Sequence, residues 1–147
     1  MKKFIKIIIV LLLLPLLFDF AVMFVNDIIA NKPEKELINV PLPEKTQLVE
    51  SNSVAAKLYG NGNGMQYIGQ LLVTTELTEE ELRDYYNGLN EEIQVKKQNS
   101  SVIYEYFPKQ AFKKYDETKN NYMVELVRFN PGTSLLWKIL DWDIRGH

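Results

Sequence analysis

The stretch KLYGNGNGMQYIGQLLV, residues 57–73, places closely spaced glycines and two Asn-Gly pairs ahead of an alternating apolar run. A dinucleotide-binding fingerprint needs glycines at its first, third and sixth positions, between a strand and a helix. Counted from Gly60, the sixth position is Met65, and the residues that follow alternate with the period of a strand. Two Asn-Gly pairs between apolar runs are instead typical of a hairpin turn. We therefore expect the chain to reverse here, with Asn61 and Asn63 as candidates for contacting a ligand.

Runs with a two-residue period surround this turn and predict an antiparallel sheet. The polar QNS joins two of them and predicts a second hairpin. On the strand after the glycines, Gln66 and Gln70 lie on the polar face. The strands are interrupted by a single helix, which indicates an α+β fold with one helix packed across a face of the sheet. The runs are residues 47–59, 65–73, 92–97, 101–107 and 122–129.

The helix is predicted in ELTEEELRDYYNGLN, residues 76–90. Thr78 is the expected N-cap, and Glu81 three residues later completes a capping box. An apolar stripe at helical spacing follows, and Gly88 offers a left-handed stop at the C-terminus. The stripe consists of Leu82, Tyr85, Tyr86 and Leu89.

The amino-terminal MKKFIKIIIVLLLLPLLFDFAVMFVND begins with lysines and then runs apolar from Ile7 to Val25, interrupted only by Asp19. A helix of about this length crosses a bilayer core of roughly 30 Å. Its aliphatic and Phe residues favour insertion by about 4.5 to 9 kcal/mol, whereas a central Asp costs about 2.5 to 3.5 kcal/mol. The segment therefore predicts a transmembrane helix. The preceding lysines place the amino terminus in the cytoplasm and the rest of the chain outside.

The same segment also fits the apolar core of a signal peptide. The best candidate cleavage site, IIA ending at Ala30, comes late and has Ile28 where a small residue is preferred. The chain contains no cysteine, so it cannot be tethered through a lipidated one. We therefore expect residues 1–30 to be retained as a single-pass anchor in the cell membrane, with cleavage as the alternative.

Residues 31–46 hold three of the six prolines and predict an extended stalk, followed by a folded domain over residues 47–147. After Val25 the chain carries 14 basic and 18 acidic residues. This balance argues against nucleic acid as a partner, because phosphate contacts need concentrated positive charge.

The closing SLLWKILDWDIRGH predicts a short helical turn near residues 135–138 and then a final strand. On that strand Asp141 and Asp143 would point the same way, close enough to share a cation or a proton. With Arg145 they are candidates for a ligand or partner surface, and they are the acids on which an alternative function, a carboxylate-based envelope hydrolase, would depend. His147 is the sole histidine, and a metal site built on a terminal histidine would be poor.

The chain has no cysteine nucleophile and no serine in a nucleophile-elbow pattern, so we assign no catalytic residue, cofactor or metal. The segment YFPKQAFKKY, residues 106–115, interleaves lysines with aromatics. It fits a loop that contacts anionic lipid, extended by Lys96 and Lys97. The favoured interpretation is a loop whose aromatics pack on the sheet edge while its lysines face water.

Four segments, VPLPEKTQLVES, KLYGNGNGMQYIGQLL, LTEEELRDYY and the closing DWDIRGH, resemble a group of short exported or membrane-anchored proteins of Gram-positive bacteria. The resemblance covers most of the chain after Val40 and implies a location but no ligand and no catalytic residue. Together with the tether, it leads us to expect a non-enzymatic binding or regulatory accessory module at the cell envelope. The expected contacts are the lipid bilayer, through the N-terminal helix, and a membrane-protein partner.

Overall fold

The structure, a computed structural model, describes residues 2–57, 64–104 and 110–146. Three helices, six strands and a closing 3₁₀ turn make up this part of the chain. The helices are α1 (Lys2–Asn39), α2 (Glu79–Leu89) and α3 (Leu135–Leu140), and the 3₁₀ turn is Ile144–Gly146. The strands are β1 (Thr46–Ala56), β2 (Gln66–Thr75), β3 (Ile93–Lys97), β4 (Val102–Tyr104), β5 (Gln110–Ala111) and β6 (Asn121–Phe129).

Four strands form an antiparallel sheet in the order β1-β2-β6-β3, and β4 pairs with β5 in a separate two-stranded sheet. The predicted α+β class and antiparallel sheet are therefore confirmed. Strands β1 and β2 are antiparallel neighbours whose ladder ends at the pair Ala56 and Gln66, as a hairpin requires. The predicted glycine-rich turn between them, including Asn61 and Asn63, lies outside the described residues.

One face of the sheet packs against α1 and α2. Alternate residues of β2 point towards these helices, because successive side chains of a strand lie on opposite faces. Leu71 and Val73 of β2 share one buried cluster with Leu37 of α1 and with Leu82 and Tyr86 of α2. More than the one expected helix therefore packs on the sheet: α1 joins α2 in its main core.

The carboxyl-terminal third of α1 lies directly over Gly69 of β2. A methyl group built at Gly69 would stand 2.2 Å from the backbone nitrogen of Glu34 and 2.4 Å from the carbonyl carbon of Pro33. No side chain fits between backbones at this distance. Glycine here lets the helix and the sheet approach more closely than any other residue would permit.

The prediction of an extended stalk is wrong for residues 31–39, which continue α1 without a break. Pro33 lies inside the helix, although proline normally removes a helical hydrogen bond. Ala30 and Leu37, one turn before Pro33 and one turn after it, are fully buried against the sheet. Burial of this helix face against the sheet outweighs the local preference for extended chain. Only residues 40–45 connect α1 to β1.

Helix α2 begins as predicted and ends differently. The Thr78 hydroxyl accepts a hydrogen bond from the Glu81 backbone N–H, and the Glu81 carboxylate accepts one from the Thr78 backbone N–H, which completes the capping box. Gly88 is an ordinary helical residue rather than a left-handed stop. The helix ends at Leu89, and the next residue, Asn90, is an extended C-cap whose backbone N–H donates to the Tyr86 carbonyl.

The predicted hairpin between β3 and β4 is wrong. Strand β3 pairs with β6, while β4 pairs with β5 outside the main sheet. The side-chain amide of Gln98 donates to the carbonyls of Ser100 and Val102, at 2.7 and 3.0 Å. In these bonds a side chain takes the place of the backbone donors of a tight hairpin. They stabilise a loop in which the chain leaves the edge of the sheet.

The predicted final strand is also wrong, although the helical turn before it is confirmed and extends to Leu140. Ser134 caps α3, Trp137 packs beside the Tyr67 ring with centroids 6.4 Å apart, and Leu140 is buried. The helix places Trp137 and Leu140 on one side, where both pack against the rest of the domain. The remaining residues close the chain as a 3₁₀ turn rather than as a sheet edge.

Tyr86 is fully buried in the core, and its hydroxyl has no hydrogen-bond partner among the described residues. Burial raises the pKa of this phenol to about 12, with a further contribution from Tyr85. We expect Tyr86→Phe to raise the free energy of unfolding by about 1 kcal/mol, because the substitution removes an unsatisfied buried group. Thermal unfolding of the full chain in detergent micelles, followed by circular dichroism, measures the change.

Tyr67→Phe is the matched control. The Tyr67 hydroxyl donates to the Asn26 side-chain oxygen at 2.9 Å, so its removal leaves a buried acceptor without this partner. We expect Tyr67→Phe to lower the free energy of unfolding by about 1 to 2 kcal/mol. An equal decrease in the free energy of unfolding in both variants would contradict the assignment of the Tyr86 hydroxyl as a group without a hydrogen-bond partner.

Candidate functional site at the junction of α1 and the C-terminus

Of the residues proposed for a ligand surface, Asp143 and Arg145 bond to α1 where it reaches the folded domain, and Asp141 lies beside them in the C-terminal segment. Asn26 of α1 is at the centre and is fully buried. Its amide donates to the Leu140 carbonyl and to the Asp143 carboxylate, both at 2.9 Å, and its oxygen accepts the Tyr67 hydroxyl. One side chain thus joins α1, the central strand β2 and the C-terminal segment.

Asp143 is buried, and hydrogen bonds occupy both of its carboxylate oxygens. One oxygen accepts from the backbone N–H and Nε of Arg145, at 3.0 and 2.9 Å. The other accepts from Nη2 of Arg145 at 2.7 Å and from Asn26. Burial disfavours the charged form, but the bonds from Arg145 and Asn26 outweigh it and hold the pKa of Asp143 below its ordinary value. The carboxylate is therefore ionised at neutral pH.

Arg145 extends the same network to the surface of α1. Its guanidinium donates to the Asp27 carboxylate at 2.6 Å and to the Met23 carbonyl at 3.1 Å, besides its bonds to Asp143. The bonds to Asp143 raise the pKa of Arg145 further above its already high value, against the effect of burial. Because Arg145 has partners on both sides, it fastens the C-terminal segment to α1.

Asp141 accepts hydrogen bonds from residues on both sides of the glycine-rich segment. Its carboxylate accepts from the Met65 backbone N–H and from the Asn130 amide, both at 2.7 Å, and its carbonyl accepts from the Lys57 ammonium at 2.8 Å. A methyl group built at Gly64 would stand 2.9 Å from this carboxylate. The described residues on either side of this segment, Lys57 and Met65, are therefore held against the C-terminal segment.

The prediction that Asp141 and Asp143 point the same way from a strand is wrong, because no strand forms and each carboxylate has its own partners. Their combined charge acts on Tyr67: burial first, and then these two carboxylates, raise the pKa of the phenol above its ordinary value. Among the described residues no group of three or more His, Cys, Asp or Glu side chains could hold a metal ion. His147 lies outside the described residues. The network of Asn26, Asp143 and Arg145, which we call the lock, is therefore better suited to holding the C-terminal segment on α1 than to proton transfer.

A polar cleft of about 310 Å³ adjoins this network, between α1 and β1. Asp27, Asn31, Ser53 and Arg145 are among the residues that line it, and the Ser53 hydroxyl donates to the Asn31 side chain at 2.8 Å. The cleft is open and its side chains are already hydrogen-bonded to one another. It offers a small polar surface beside the lock.

A second polar cluster lies on the opposite face of the sheet, where the sequence pattern did not indicate burial. Gln66, Gln70 and Glu125 are fully buried there. The Glu125 carboxylate accepts from Gln70 at 2.8 Å and from the Lys96 ammonium at 3.2 Å. Alternating polar residues on a strand normally predict a face exposed to solvent. This face is buried because another segment of the chain covers it, and the strand pattern alone does not indicate such a segment. Phe112 belongs to that covering segment.

The described part of the lysine–aromatic segment, residues 110–115, packs as the favoured interpretation predicts. Phe112 is buried with Leu72 and Met123 of the sheet, and Tyr115 packs against the same cluster, while Lys113 and Lys114 are exposed. Residues 105–109, with Lys109, lie outside the described residues. Of the two lysines of β3, Lys96 pairs with Glu125, and Lys97 lies over the Tyr122 ring, 4.5 Å from its centroid.

Comparison with protein-family models, curated proteins and solved structures finds no match to this chain. The function of the protein is therefore inferred from the geometry of α1 and its lock.

Proposed function

We propose that the protein is a single-pass membrane protein whose folded part is a non-enzymatic binding or regulatory module at the outer face of the cell membrane. The observation that carries this proposal is the continuity of α1. One helix begins in the apolar amino-terminal segment and ends, at Asn39, as a packed layer of the folded domain. A membrane span and a domain built on one helix are coupled without a flexible linker.

The apolar part of α1 is long and apolar enough to cross a membrane, a property that signal sequences share. The consecutive residues Leu11, Leu12, Leu13 and Leu14 are all exposed. Four successive residues cover every side of a helix, so this part of α1 presents leucine in all directions. Such a surface is stable only in an apolar environment, and a bilayer supplies one.

Burial along α1 supports retention of the helix over its cleavage. Val22, Asn26 and Ala30 are each less than 5% exposed against the rest of the domain. Cleavage after Ala30 would remove all three and would break the hydrogen bonds from Asn26 to Asp143 and Leu140. A removable signal would not ordinarily contribute to the core of the mature protein.

The lock also supports a binding role over the alternative hydrolase. A general acid needs a carboxyl group that carries a proton near neutral pH. Asp143 is ionised, and donors occupy both of its oxygens. The exposed surfaces available to a membrane-protein partner include α1 itself and the polar end of the domain. That end carries a cleft of about 590 Å³ lined by residues such as Lys45, Thr75 and Asn120.

Membrane topology is tested with single-cysteine variants, since the natural chain has no cysteine. Lys119→Cys places a thiol on the exposed loop before β6, and Lys2→Cys places one ahead of the span. In intact producing cells, we expect a membrane-impermeant maleimide to label Lys119→Cys and to spare Lys2→Cys until the cells are permeabilised. The labelled chain should remain in the membrane pellet after carbonate extraction, at its full mass.

Labelling of Lys2→Cys in intact cells would show that the amino terminus lies outside, which is the reverse of the proposed topology. A chain found in the medium with a mass that begins near Asn31 would make the segment a signal peptide and would overturn the proposal of an anchor.

A further inference from the structure

Exposed apolar side chains gather at one end of the folded domain. Among the described residues after residue 40, eight large apolar side chains are exposed, and five of them lie between residues 129 and 144. Each of these five is between 56% and 75% exposed, more than any of the other three. We call them the C-terminal apolar rim: Phe129, Leu135, Leu136, Trp142 and Ile144. An apolar group of this kind on a folded domain usually marks a contact surface.

The rim lies at the end of the domain from which the apolar part of α1 emerges. Strand β2 runs alongside α1, with Tyr67 bonded to Asn26 and Gly69 under Pro33. Strand β6 is antiparallel to β2 and therefore ends, at Phe129, beside the start of β2. The C-terminal segment follows from this point.

Trp142 fixes the position of the rim along α1. Its ring packs edge-on against the ring of Phe18, with centroids 6.4 Å apart. Phe18 lies within the apolar stretch, and it precedes Val25 by seven residues, which is about 10 Å along the helix axis. Trp142 is thus beside the apolar stretch, while the Asn26 network lies about 12 Å further along the helix.

Trp142 meets lipid at any reasonable position of the membrane boundary. If the hydrocarbon core ends at Val25, Trp142 lies about 10 Å inside it. If the core ends at Asp19, Trp142 lies at the boundary with the headgroup region, which is roughly 5 to 8 Å thick. Tryptophan favours this boundary, because its ring is apolar and its N–H is polar.

We propose that the C-terminal apolar rim inserts into the outer leaflet of the bilayer as a second membrane contact beside α1. The proposal rests on the proposed membrane anchor and adds an orientation to it. The rim faces lipid, and the lock of Asn26, Asp143 and Arg145 lies just above it. The opposite end of the domain, around Lys45 and Asn120, points away from the membrane. The two contacts then fix the distance of the domain from the membrane surface and its tilt relative to that surface.

The two tryptophans of the chain allow a direct test by fluorescence. Trp137 packs on Tyr67 within the domain, and Trp142 belongs to the rim. Trp137→Phe leaves Trp142 as the only tryptophan, and Trp142→Phe is the matched control that leaves Trp137. Both full-length variants are reconstituted into phosphatidylcholine vesicles that contain lipids brominated near the carbonyl end or near the methyl end of the acyl chain.

We expect bromine at one of the two depths to quench most of the Trp142 emission, whereas Trp137 keeps most of its emission with both lipids. Stronger quenching near the carbonyl end places the edge of the hydrocarbon core near Asp19, and stronger quenching near the methyl end places it near Val25. If Trp137→Phe does not fold, the quenching of the natural protein minus that of Trp142→Phe gives the same quantity.

Unquenched Trp142 in a chain that still resists carbonate extraction would overturn the rim contact while leaving the anchor intact. Loss of the chain from the vesicles would instead overturn the anchor. A disulfide-linked pair formed by the single-cysteine variant Leu136→Cys, together with unquenched Trp142, would show that a second copy of the chain covers the rim in place of lipid.

Discussion

Replacing Gly69 with alanine is expected to lower the free energy of unfolding by about 3 kcal/mol or more. The added methyl group would lie 2.2 to 2.6 Å from backbone atoms of Pro33 and Glu34. Backbone atoms cannot rotate away as the end of a flexible side chain does, so α1 must move off the sheet. That movement opens the core that Leu37 shares with β2 and α2, and it loosens the coupling between the apolar helix and the domain.

The measurement is the midpoint of thermal unfolding of the full chain in detergent micelles. Gly88→Ala is the matched control, because Gly88 is an exposed residue of α2 and a methyl group added there would meet nothing within 4 Å. Alanine is favoured over glycine inside a helix by about 0.5 to 1 kcal/mol. We therefore expect the same chemical change to destabilise the chain at position 69 and to stabilise it at position 88.

A Gly69→Ala protein with unchanged stability would contradict the close packing of α1 on β2. It would mean that the helix and the sheet are separated in solution, and the rigid coupling on which the proposed function depends would fail with it.

Local patterns were sufficient for the elements whose signals are local. The capping box of Thr78 and Glu81 and the strand over residues 122–129 both depend on neighbouring residues alone, and both are present. The path of residues 31–39 could not be predicted in this way. Pro33 disfavours helix locally, and only the burial of Ala30 and Leu37 against a distant sheet reverses that preference.

The candidate site shows the same limit. The sequence drew attention to Asp141, Asp143 and Arg145, but it gave no sign of the residues distant in the chain that bond to them. Asn26 lies 117 residues before Asp143, and no periodic pattern links the two. The strand predicted for this segment failed because alternating apolar and charged residues also suit a helix and a 3₁₀ turn that pack on α1.

Replacing Asp143 with asparagine is expected to lower the free energy of unfolding by about 3 kcal/mol at neutral pH, because it leaves the largely buried charge of Arg145 without its main partner. The side chains of Asp143 and Arg145 are 0% and 12% exposed, so water compensates little. Asp27→Asn is the matched control: Asp27 also pairs with Arg145 but is exposed, and its loss should cost less than about 1 kcal/mol. The double variant of Asp143→Asn with Arg145→Gln should be less destabilised than Asp143→Asn alone, since no uncompensated charge remains.

The effect of Asp143→Asn should depend on pH in a defined direction. Folding lowers the pKa of Asp143, so the stability that its charge contributes is fully present above its unfolded pKa of about 3.9 and is lost as pH falls through the folded value. We therefore expect the natural protein and Asp143→Asn to differ most at neutral pH and to converge below about pH 4. Unfolding curves of both proteins across this range measure the difference. A gap that stays constant down to the lowest pH would show that the carboxylate charge does not hold the C-terminal segment on α1.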